Sequence, residues 1–189
     1  MNFSCIDTSI SDLKIVEPKV YGDARGFFKE TYSGRDFAEL GIQEIFVQDN
    51  HSRSLRGTLR GLHFQRQHPQ AKLVRVLAGK VFDVAVDLRA GSPTYGKWHG
   101  VELDAEGHRM FFIPAGFAHG FLALSDSVEL AYKCSAYYHP EDEAGLIYDD
   151  PQIGIRWPLE KGQKPLLSDK DAVLPTLEKL GFRIGEEKA

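Results

Sequence analysis

Three titratable side chains lie on strand faces that otherwise read as apolar, and their chemical types suit proton transfer. Alternation along the predicted strands places His63, Lys72 and Tyr132 among apolar neighbours. Together they offer a neutral base, a cation and a phenolic acid. Such a set can remove a proton next to a carbonyl, stabilise the enolate oxygen and return a proton to carbon. A base and an acid on opposite sides of that carbon would invert its configuration.

Lys72 is the most informative of the three, because a buried ammonium group is unfavourable without an anionic partner or access to water. We expect it either to reach solvent or to face an anion in a pocket. Asp83, in the next predicted strand, is the nearest candidate partner in the sequence. A single histidine or tyrosine on such a face is more often structural, so the functional interpretation requires the three side chains to converge.

A second, basic set lies near the same strands and consists of Arg25, Arg60 and Lys170. A guanidinium group matches two phosphate oxygens at once, so this set predicts a phosphorylated or nucleotide-linked ligand. The alternative for each of these residues is an ordinary ion pair at the surface.

The elements that must position these side chains are short strands. Apolar residues recur with a period of two from residue 13 to about residue 157, and Gly, Pro, Asp and Asn separate the segments. The predicted strands are 27–32, 44–50, 58–65, 72–77, 80–88, 98–103, 109–113, 119–124 and 128–134. So many strands predict an all-β jelly roll or a related closed double sheet, which protects its edges and encloses a cavity.

Helix signals are few. Ser33 can cap a short helix over 35–40, and Ser168 can cap a second helix over 169–180, which Pro175 interrupts. We expect both helices to lie at the periphery of the sheets.

The length of 189 residues suits one domain with a substantial core. We therefore predict a single domain over 1–189. Its jelly-roll core would span about 13–157, and a C-terminal segment, about 158–189, would pack on that core. Composition is ordinary for a globular chain, at 42% hydrophobic and 26% charged residues.

Charge and hydropathy exclude several classes of partner. The net charge is -4 and no run of basic residues occurs, so we expect no nucleic acid ligand. No basic leader with an apolar stretch is visible at the start, and no apolar run reaches the roughly 20 residues of a membrane span. We predict a cytoplasmic protein without a membrane partner, in which Cys5 and Cys134 are buried thiols.

The segment 113–119 raises the alternative of a metal site. Its PxGxxH pattern is half of the metal-binding signature of cupin barrels, in which His119 would be a ligand. The other half requires an HxH followed by a glutamate, and 63–65 does not supply it. A complete set of three or four ligands is therefore poorly supported, and we predict no metal.

Seven segments between about residue 13 and residue 175 carry a family resemblance. They read "GDARGFFKETY", "FVQDNHS", "LRGLHFQ", "AKLVRVLAGKVFDVAVDLRAGSPTYGKW", "IPAGFAHGFLALS", "AYKCSAYYHPEDEAGL" and "LSDKDAVLP". In these motifs the sequence resembles the dTDP-4-dehydrorhamnose 3,5-epimerase family of cupin-type sugar-nucleotide epimerases. The resemblance implies a cupin-like jelly-roll barrel with a few short peripheral helices.

The resemblance also assigns catalytic roles. His63 matches the general base, and Asp171 matches the carboxylate that orients its imidazole, in preference to Asp83. Tyr132 matches the general acid, and Lys72 matches the cation beside the C4 carbonyl. These roles agree with those inferred from the residue types alone.

Further positions match residues that contact the substrate. They are Arg25, Glu30, Gln48, Asp49, Asn50, Arg60, His119, Tyr138, Glu143 and Lys170. Of these, Arg25, Arg60 and Lys170 would hold the diphosphate or the sugar, and Tyr138 would stack on the thymine base. The resemblance implies that His119 contacts substrate and is not a metal ligand.

The implied reaction converts dTDP-4-dehydro-6-deoxy-D-glucose to dTDP-4-dehydro-L-rhamnose by inversion at C3 and C5, in dTDP-L-rhamnose biosynthesis. The resemblance implies a homodimer that uses neither a metal nor a nicotinamide cofactor. One alternative is a mono-epimerase, which inverts only C3 or only C5 of a related dTDP-4-keto-deoxysugar. Others are a sugar-nucleotide-binding cupin without activity and a metal-dependent cupin enzyme.

Overall fold

Two antiparallel sheets packed face to face form the body of the protein. The computed structural model describes residues 1–160, 162–181 and 183–185. The six-stranded sheet has, in spatial order, β1 (Phe3–Asp7), β2 (Lys14–Pro18), β10 (Met110–Ile113), β7 (Lys72–Ala78), β12 (Ser127–Cys134) and β5 (Gln48–Leu55). The five-stranded sheet has β13 (Glu143–Gly145), β6 (Leu59–Gln65), β11 (Phe117–Ala123), β8 (Lys80–Asp87) and β9 (Trp98–Asp104). This arrangement confirms the predicted all-β, cupin-like jelly roll with short helices.

A hairpin of β3 (Val20–Asp23) and β4 (Gly26–Lys29) makes a third, two-stranded sheet. Within the described residues, its strands pair only with each other. All of its residues except Lys29 are exposed. The hairpin therefore projects from the barrel and is not one of its walls.

Strand alternation divides the apolar residues between two sides of each sheet. The residues buried between the two sheets include Val74, Val76, Ala85, Phe111, Phe121, Val128 and Leu130. On β8 the opposite face, with Val84 and Val86, packs outside the barrel against C-terminal residues such as Leu180 and Ile184. The C-terminal segment thus covers the outer face of the five-stranded sheet, and the Asp83 face of β8 is turned toward the other sheet.

The first predicted helix is present as α1 (Gly34–Glu39). The hydroxyl of Ser33 accepts the backbone N–H of Asp36, which confirms the predicted cap. Phe37 of α1 is buried in a cluster with Phe3 and Leu73, so the helix covers one end of the six-stranded sheet.

The second predicted helix, over 169–180, is interrupted before Pro175, as predicted. It divides into a 3-10 turn over Asp171–Val173 and a helix of one turn, α2 (Leu177–Leu180). Leu174 is extended between them, because the residue before a proline disfavours the helical region. Ser168 still accepts the N–H of Asp171, at 3.1 Å. Its role is therefore to hold the 3-10 turn.

Several strand boundaries also differ from the predictions. The six-stranded sheet begins with β1, ten residues before the predicted start of the core, because β1 pairs along its whole length with β2. The predicted strand 44–50 starts only at Gln48 and continues to Leu55, where β12 supplies its hydrogen-bonding partner. In the described residues, no helix is long and apolar enough to cross a membrane.

Candidate active site

A bulge in β6 brings Arg60 and His63 to the same cavity. In the pairing with β11, His63 lies opposite His119 and Arg60 lies opposite Phe121. The step from 60 to 63 on β6 therefore matches a step of only two residues on β11, so β6 contains one additional residue. Simple alternation would place Arg60 and His63 on opposite faces, whereas both line the cavity.

Glycine is required where the bulge lies. Gly61 has a φ of +119°, and an added Cβ would lie 2.6 Å from the Cα of Gly120 and 2.7 Å from the carbonyl oxygen of His119. Such contacts are too short for any side chain. Gly61 therefore permits the close approach of β6 and β11 beside the two histidines.

Two adjoining cavities open between the sheets. The larger cavity, of about 470 Å³, is lined by Ser52, Thr58, Leu59, Arg60, His63, Lys72, His119, Phe121, Tyr132, Leu166, Leu167, Ser168, Lys170 and Asp171. The smaller cavity, of about 320 Å³, is lined by Gln48, Asn50, His63, Phe64, Gln65, Gln70, Lys72, Tyr132, Cys134, Tyr138 and Glu143. His63, Lys72 and Tyr132 line both. The structure thus brings together the three residues that the sequence selected as base, cation and acid.

His63 is held by a carboxylate from the C-terminal segment. Its Nε2 lies 2.6 Å from Oδ1 of Asp171, which is buried. Burial raises the pKa of Asp171. Hydrogen bonds from His63, the N–H of Gly61 and Ser168, with the charge of His63, outweigh that effect and hold the pKa below its ordinary value. Asp171 is therefore ionised, and it leaves Nδ1 of His63 as the ring nitrogen that can accept a proton from a ligand.

Backbone pairing places the segment that carries Asp171. Leu166 forms a parallel bridge with Thr58, its N–H donates to the carbonyl of Gly57, and its own carbonyl accepts the N–H of Leu59. These bonds attach the C-terminal segment to the start of β6. Asp171, five residues further along this segment, is thereby brought within reach of His63 on the same strand.

Lys72 lies at the boundary of the two cavities. Burial lowers its pKa, against the opposing effects of Cys134, Asp83 and Glu143. Within the described residues, its ammonium group makes no hydrogen bond and no ion pair. The prediction that Asp83 pairs directly with Lys72 is wrong, because the Asp83 carboxylate binds His119 instead. Lys72 thus directs an unpaired amino group at the space that a ligand would occupy, where a negative charge on the ligand would favour its protonated form.

Tyr132 faces the same space. Burial raises the pKa of its phenol, the charges of Cys134 and Glu143 raise it further, and Arg60 opposes them. The hydroxyl has no hydrogen-bond partner in the part of the chain that the structure describes. A protonated phenol without a protein partner can donate its proton to a ligand.

A metal ion at His119 would have to compete with a contact that this histidine already makes. Nε2 of His119 lies 2.9 Å and 3.0 Å from the two carboxylate oxygens of Asp83. The described residues contain no group of three or more His, Cys, Asp or Glu that could hold a metal ion. This imidazole is therefore part of a histidine–carboxylate pair.

Tyr138 lines the smaller cavity. Its N–H donates to Oε1 of Gln48 at 3.0 Å, and its hydroxyl donates to Oε2 of Glu143 at 2.5 Å. That hydrogen bond, with burial and the charge of Glu143, raises the pKa of Tyr138 to about 12. Lys170 forms an ion pair with the same glutamate. The ring is thus held in place by polar contacts while 48% of the residue stays exposed.

The comparison with protein families decides the assignment. Residues 7–179 match the family model described as dTDP-4-dehydrorhamnose 3,5-epimerase. The chain belongs to this family.

Comparisons with individual proteins support the same family assignment. The enzyme of that name from Methanothermobacter thermautotrophicus is 57% identical over 169 residues, which is 89% of this chain and 91% of the relative. The crystal structure of dTDP-6-deoxy-D-glucose-3,5-epimerase from Legionella pneumophila, in complex with dTDP-4-keto-L-rhamnose, is 56% identical and has a TM-score of 0.90, with 93% of each chain covered.

A relative with a different specificity is also similar. The 3'-monoepimerase ChmJ from Streptomyces bikiniensis, in complex with dTDP-quinovose, is 38% identical with a TM-score of 0.85, and the match covers 94% of this chain and 91% of ChmJ. The fold therefore accommodates both double and single epimerases.

Most of the positions predicted from the epimerase family line the two cavities. Those that do are His63, Lys72, Tyr132, Asp171, Gln48, Asn50, Arg60, His119, Tyr138, Glu143 and Lys170. Arg25, Glu30 and Asp49 lie outside both. The position of Asp49 outside the cavities follows from alternation on β5. Its side chain points away from those of Gln48 and Asn50 and accepts hydrogen bonds from Lys133 at 2.8 Å and 3.0 Å.

The other two outlying positions belong to the N-terminal region. Glu30 accepts a hydrogen bond from the side-chain amide of Asn2 at 2.7 Å. Arg25 lies at the tip of the β3–β4 hairpin, pairs with Asp23 at 2.6 Å and lines a separate groove of about 450 Å³. Within one chain, neither side chain reaches the epimerase cavities.

Some lining residues were absent from the sequence prediction, including Ser52, Thr58, Phe121, Leu166 and Gln70. Ser52 could have been found, because alternation from Gln48 and Asn50 leads to it on β5. Phe121 and the apolar residues of the C-terminal segment read as ordinary core, and nothing in their types distinguishes them from it.

Proposed function

We propose that this protein inverts C3 and C5 of dTDP-4-dehydro-6-deoxy-D-glucose and releases dTDP-4-dehydro-L-rhamnose. The observation that carries this conclusion is the convergence of the His63–Asp171 pair, Lys72 and Tyr132 where the two cavities meet. With this arrangement, a member of the 3,5-epimerase family can place a base, a cation and an acid around the same part of a bound substrate. No metal or nicotinamide enters the proposed steps.

Proton removal is the first step. The 4-keto group of the substrate acidifies the C–H bonds at C3 and C5. Nδ1 of His63 takes the proton, and the electrons of the C–H bond form the carbon–carbon double bond of an enolate. Asp171, ionised and bonded to Nε2, stabilises the imidazolium that results.

Stabilisation of the enolate and return of the proton complete the inversion. The unpaired ammonium group of Lys72 would lie beside the developing charge on the C4 oxygen. The phenol of Tyr132 then donates its proton to carbon from the opposite face, which inverts the centre. His63 then releases its proton to solvent and Tyr132 takes one up, so that the same groups can act on the second carbon after the sugar ring changes conformation.

Binding of the nucleotide would use the remaining lining residues. Tyr138 would stack on thymine, with Gln48 and Asn50 beside it in the smaller cavity. Arg60 and Lys170 would contact the diphosphate or the sugar from the larger cavity. Lys170 would then exchange its partner Glu143 for the ligand.

Proton NMR of dTDP-4-dehydro-6-deoxy-D-glucose in deuterated water, with purified protein and no added metal, tests the proposed reaction. We expect deuterium at both C3 and C5, together with the L-rhamno product. Exchange at one carbon alone would replace the proposal with a mono-epimerase. No exchange at either carbon would favour a sugar-nucleotide-binding cupin, or a metal-dependent one if stoichiometric metal is found in the protein.

The mono-epimerase is the second candidate, and the similarity to ChmJ is the observation that favours it. The same base, cation and acid would serve a single inversion, because each carbon requires only one removal and one return of a proton. The number of labelled carbons in the NMR experiment separates the two candidates directly.

Tyr138→Ala should weaken dTDP binding by about 1–3 kcal/mol, the usual scale for the loss of a base stacked on an aromatic ring. Isothermal titration with dTDP measures the change. Tyr137→Ala is the matched control, because that neighbouring ring is exposed and lines neither cavity. Equal affinities for the two variants would remove Tyr138 from the nucleotide site.

We propose a homodimer in which the β3–β4 hairpin contacts the second copy. The hairpin exposes Phe27 and Phe28 by 60% and 67%, and Val20 and Tyr21 are exposed beside them. A projecting apolar patch of this kind is typical of an interaction surface. Because Arg25 matches a substrate-binding position but lies outside the cavities of its own chain, it would act in the site of the partner.

Mixed dimers test whether Arg25 acts across the interface. Arg25→Ala and His63→Ala homodimers should each be strongly impaired. Dimers re-formed from an equal mixture should recover about a quarter of wild-type activity, because half are heterodimers with one intact site each. If Arg25 acts within its own chain, every heterodimer site carries one lesion and no recovery occurs. Sedimentation equilibrium on the wild type checks that the dimer exists.

A cytoplasmic location is also proposed. Cys5 and Cys134 are both free thiols; Cys134 is buried as predicted, whereas the prediction that Cys5 is buried is wrong, because it is only partly covered. Free thiols persist in a reducing compartment, which supports the cytoplasm as the site of action.

A further inference from the structure

Asp83 is a carboxylate between the two sheets to which the proposed mechanism gives no role. It lies on β8 and its side chain is 0% exposed. Both of its oxygens accept from Nε2 of His119, at 2.9 Å and 3.0 Å. A buried carboxylate is unfavourable without hydrogen bonds or a charge partner, and this imidazole supplies the contact. The same contact restrains the imidazole.

The restrained imidazole lines the larger cavity. His119 lies on β11 directly opposite His63 on β6. On its other side, β11 pairs with β8, where Asp83 is the cross-strand partner of Phe121, two residues from His119. Asp83 therefore reaches His119 diagonally across two neighbouring strands. With Nε2 directed at Asp83, Nδ1 is the ring nitrogen left for a ligand.

The arrangement repeats that of the proposed base. In both His63–Asp171 and His119–Asp83, the Nε2 atom meets a buried carboxylate. A carboxylate on one ring nitrogen fixes the tautomer and the orientation of a histidine, and its loss leaves both undefined. Each of these two histidines, which lie on paired strands, is thus oriented by a buried carboxylate at Nε2.

We propose that Asp83 is a positioning residue of the epimerase, which holds His119 with Nε2–H toward itself and Nδ1 toward the substrate. His119 in this tautomer would accept a hydrogen bond from a sugar hydroxyl and so orient the ring for proton transfer at His63. This role rests on the proposed function, because that function supplies the sugar.

A double-mutant cycle on kcat/KM measures the dependence on His119. Asp83→Asn should lower kcat/KM about 10-fold to 100-fold, as loss of such an outer carboxylate does elsewhere. In a His119→Asn background, the same change should lower it by less than about twofold, because its effect passes through the imidazole. If Asp83→Asn lowered kcat/KM by the same factor in the wild-type and the His119→Asn backgrounds, the positioning role would be overturned.

Histidine-selective ¹⁵N NMR gives a readout that does not depend on activity, and the His119→Asn spectrum assigns the signal. In the wild type, the proton of His119 should reside on Nε2. In Asp83→Asn the signal should shift toward a mixture of tautomers, because an amide can either donate or accept. A proton on Nδ1 in the neutral wild-type ring would overturn the proposal even if Asp83→Asn does not fold.

Asp87→Asn is the matched control. Asp87 lies on the same strand, is equally buried and binds Arg89, at 2.7 Å between Nη2 and Oδ2. It lines neither cavity, so this variant should lose thermal stability while kcat/KM and the His119 signal stay unchanged. If Asp83→Asn shows the same pattern, its role is structural. Absence of deuterium exchange in the wild type would instead contradict the proposed function, and the ¹⁵N result would still stand alone.

Discussion

Replacement of His63 by alanine should lower the rate of deuterium incorporation at both C3 and C5 by about 100-fold to 10,000-fold, the range for loss of a general base. The reason is that no other ring nitrogen in the cavities has the same position. His119 lines the larger cavity from the neighbouring strand β11, and Asp83 restrains its ring there, so it does not take the place of His63. Proton NMR in deuterated water measures both carbons in one experiment.

The affinity for dTDP should change little in His63→Ala, because Tyr138 and the polar residues around it remain in place. His51→Ala is the matched control: this histidine lies on β5, pairs with Glu129 at the surface and lines neither cavity. Loss of dTDP binding together with exchange would assign His63 a structural role. A selective loss at one carbon would mean that a second base serves the other.

Tyr132→Phe should separate exchange from inversion. Removal of the proton by His63 does not need the phenol, so deuterium should still enter the substrate. Return of a proton on the opposite face does need it, so formation of the inverted product should slow by about 100-fold to 10,000-fold. The raised pKa of Tyr132 keeps the phenol protonated at neutral pH, as a general acid requires.

Lys72→Met provides the contrast for Tyr132→Phe. Stabilisation of the enolate is needed before either outcome, so this variant should lose exchange and inversion together. Methionine fills a similar volume without the charge, which limits the effect on packing. If Tyr132→Phe instead lost both in the same proportion, the phenol would not be the proton donor for inversion.

Strand alternation explains why the convergence of His63, Lys72 and Tyr132 was predictable from the sequence. His63, Lys72 and Tyr132 each interrupt an apolar face, and a closed double sheet directs such faces to one interior. Their convergence follows from local periodicity and closure alone. The cap at Ser33 was predictable for a similar reason, because its hydrogen bond is made within one helical turn.

Other features depend on contacts that no local pattern contains. The bulge in β6 changes the face of Arg60, and it arises from the register against β11. Asp171 lies 108 residues from His63, so only the family resemblance identified it as the partner. The Asp83 carboxylate contacts His119 and not Lys72, and this choice depends on the geometry between strands.

Arg25 illustrates a different limit of prediction from the sequence. The resemblance placed it at the substrate, and the structure places it at the tip of a projecting hairpin. Both statements are compatible if the site is completed by a second chain, because sequence similarity records a contact without recording which copy makes it. Asp49, in contrast, faces away from the cavity through simple alternation, so it belongs to the opposite face of β5.

The attachment of residues 166–173, most of which are exposed, by a few backbone bonds has a consequence for the range of temperatures in which the protein works. Segments with few buried contacts open at a lower free energy than a surrounding core of paired strands. Asp171 belongs to such a segment, whereas His63 belongs to the barrel. Detachment of 166–173 would therefore separate the two members of the pair while the sheets stay folded. Heat inactivation of this protein should accordingly be a reversible, local event that precedes its denaturation.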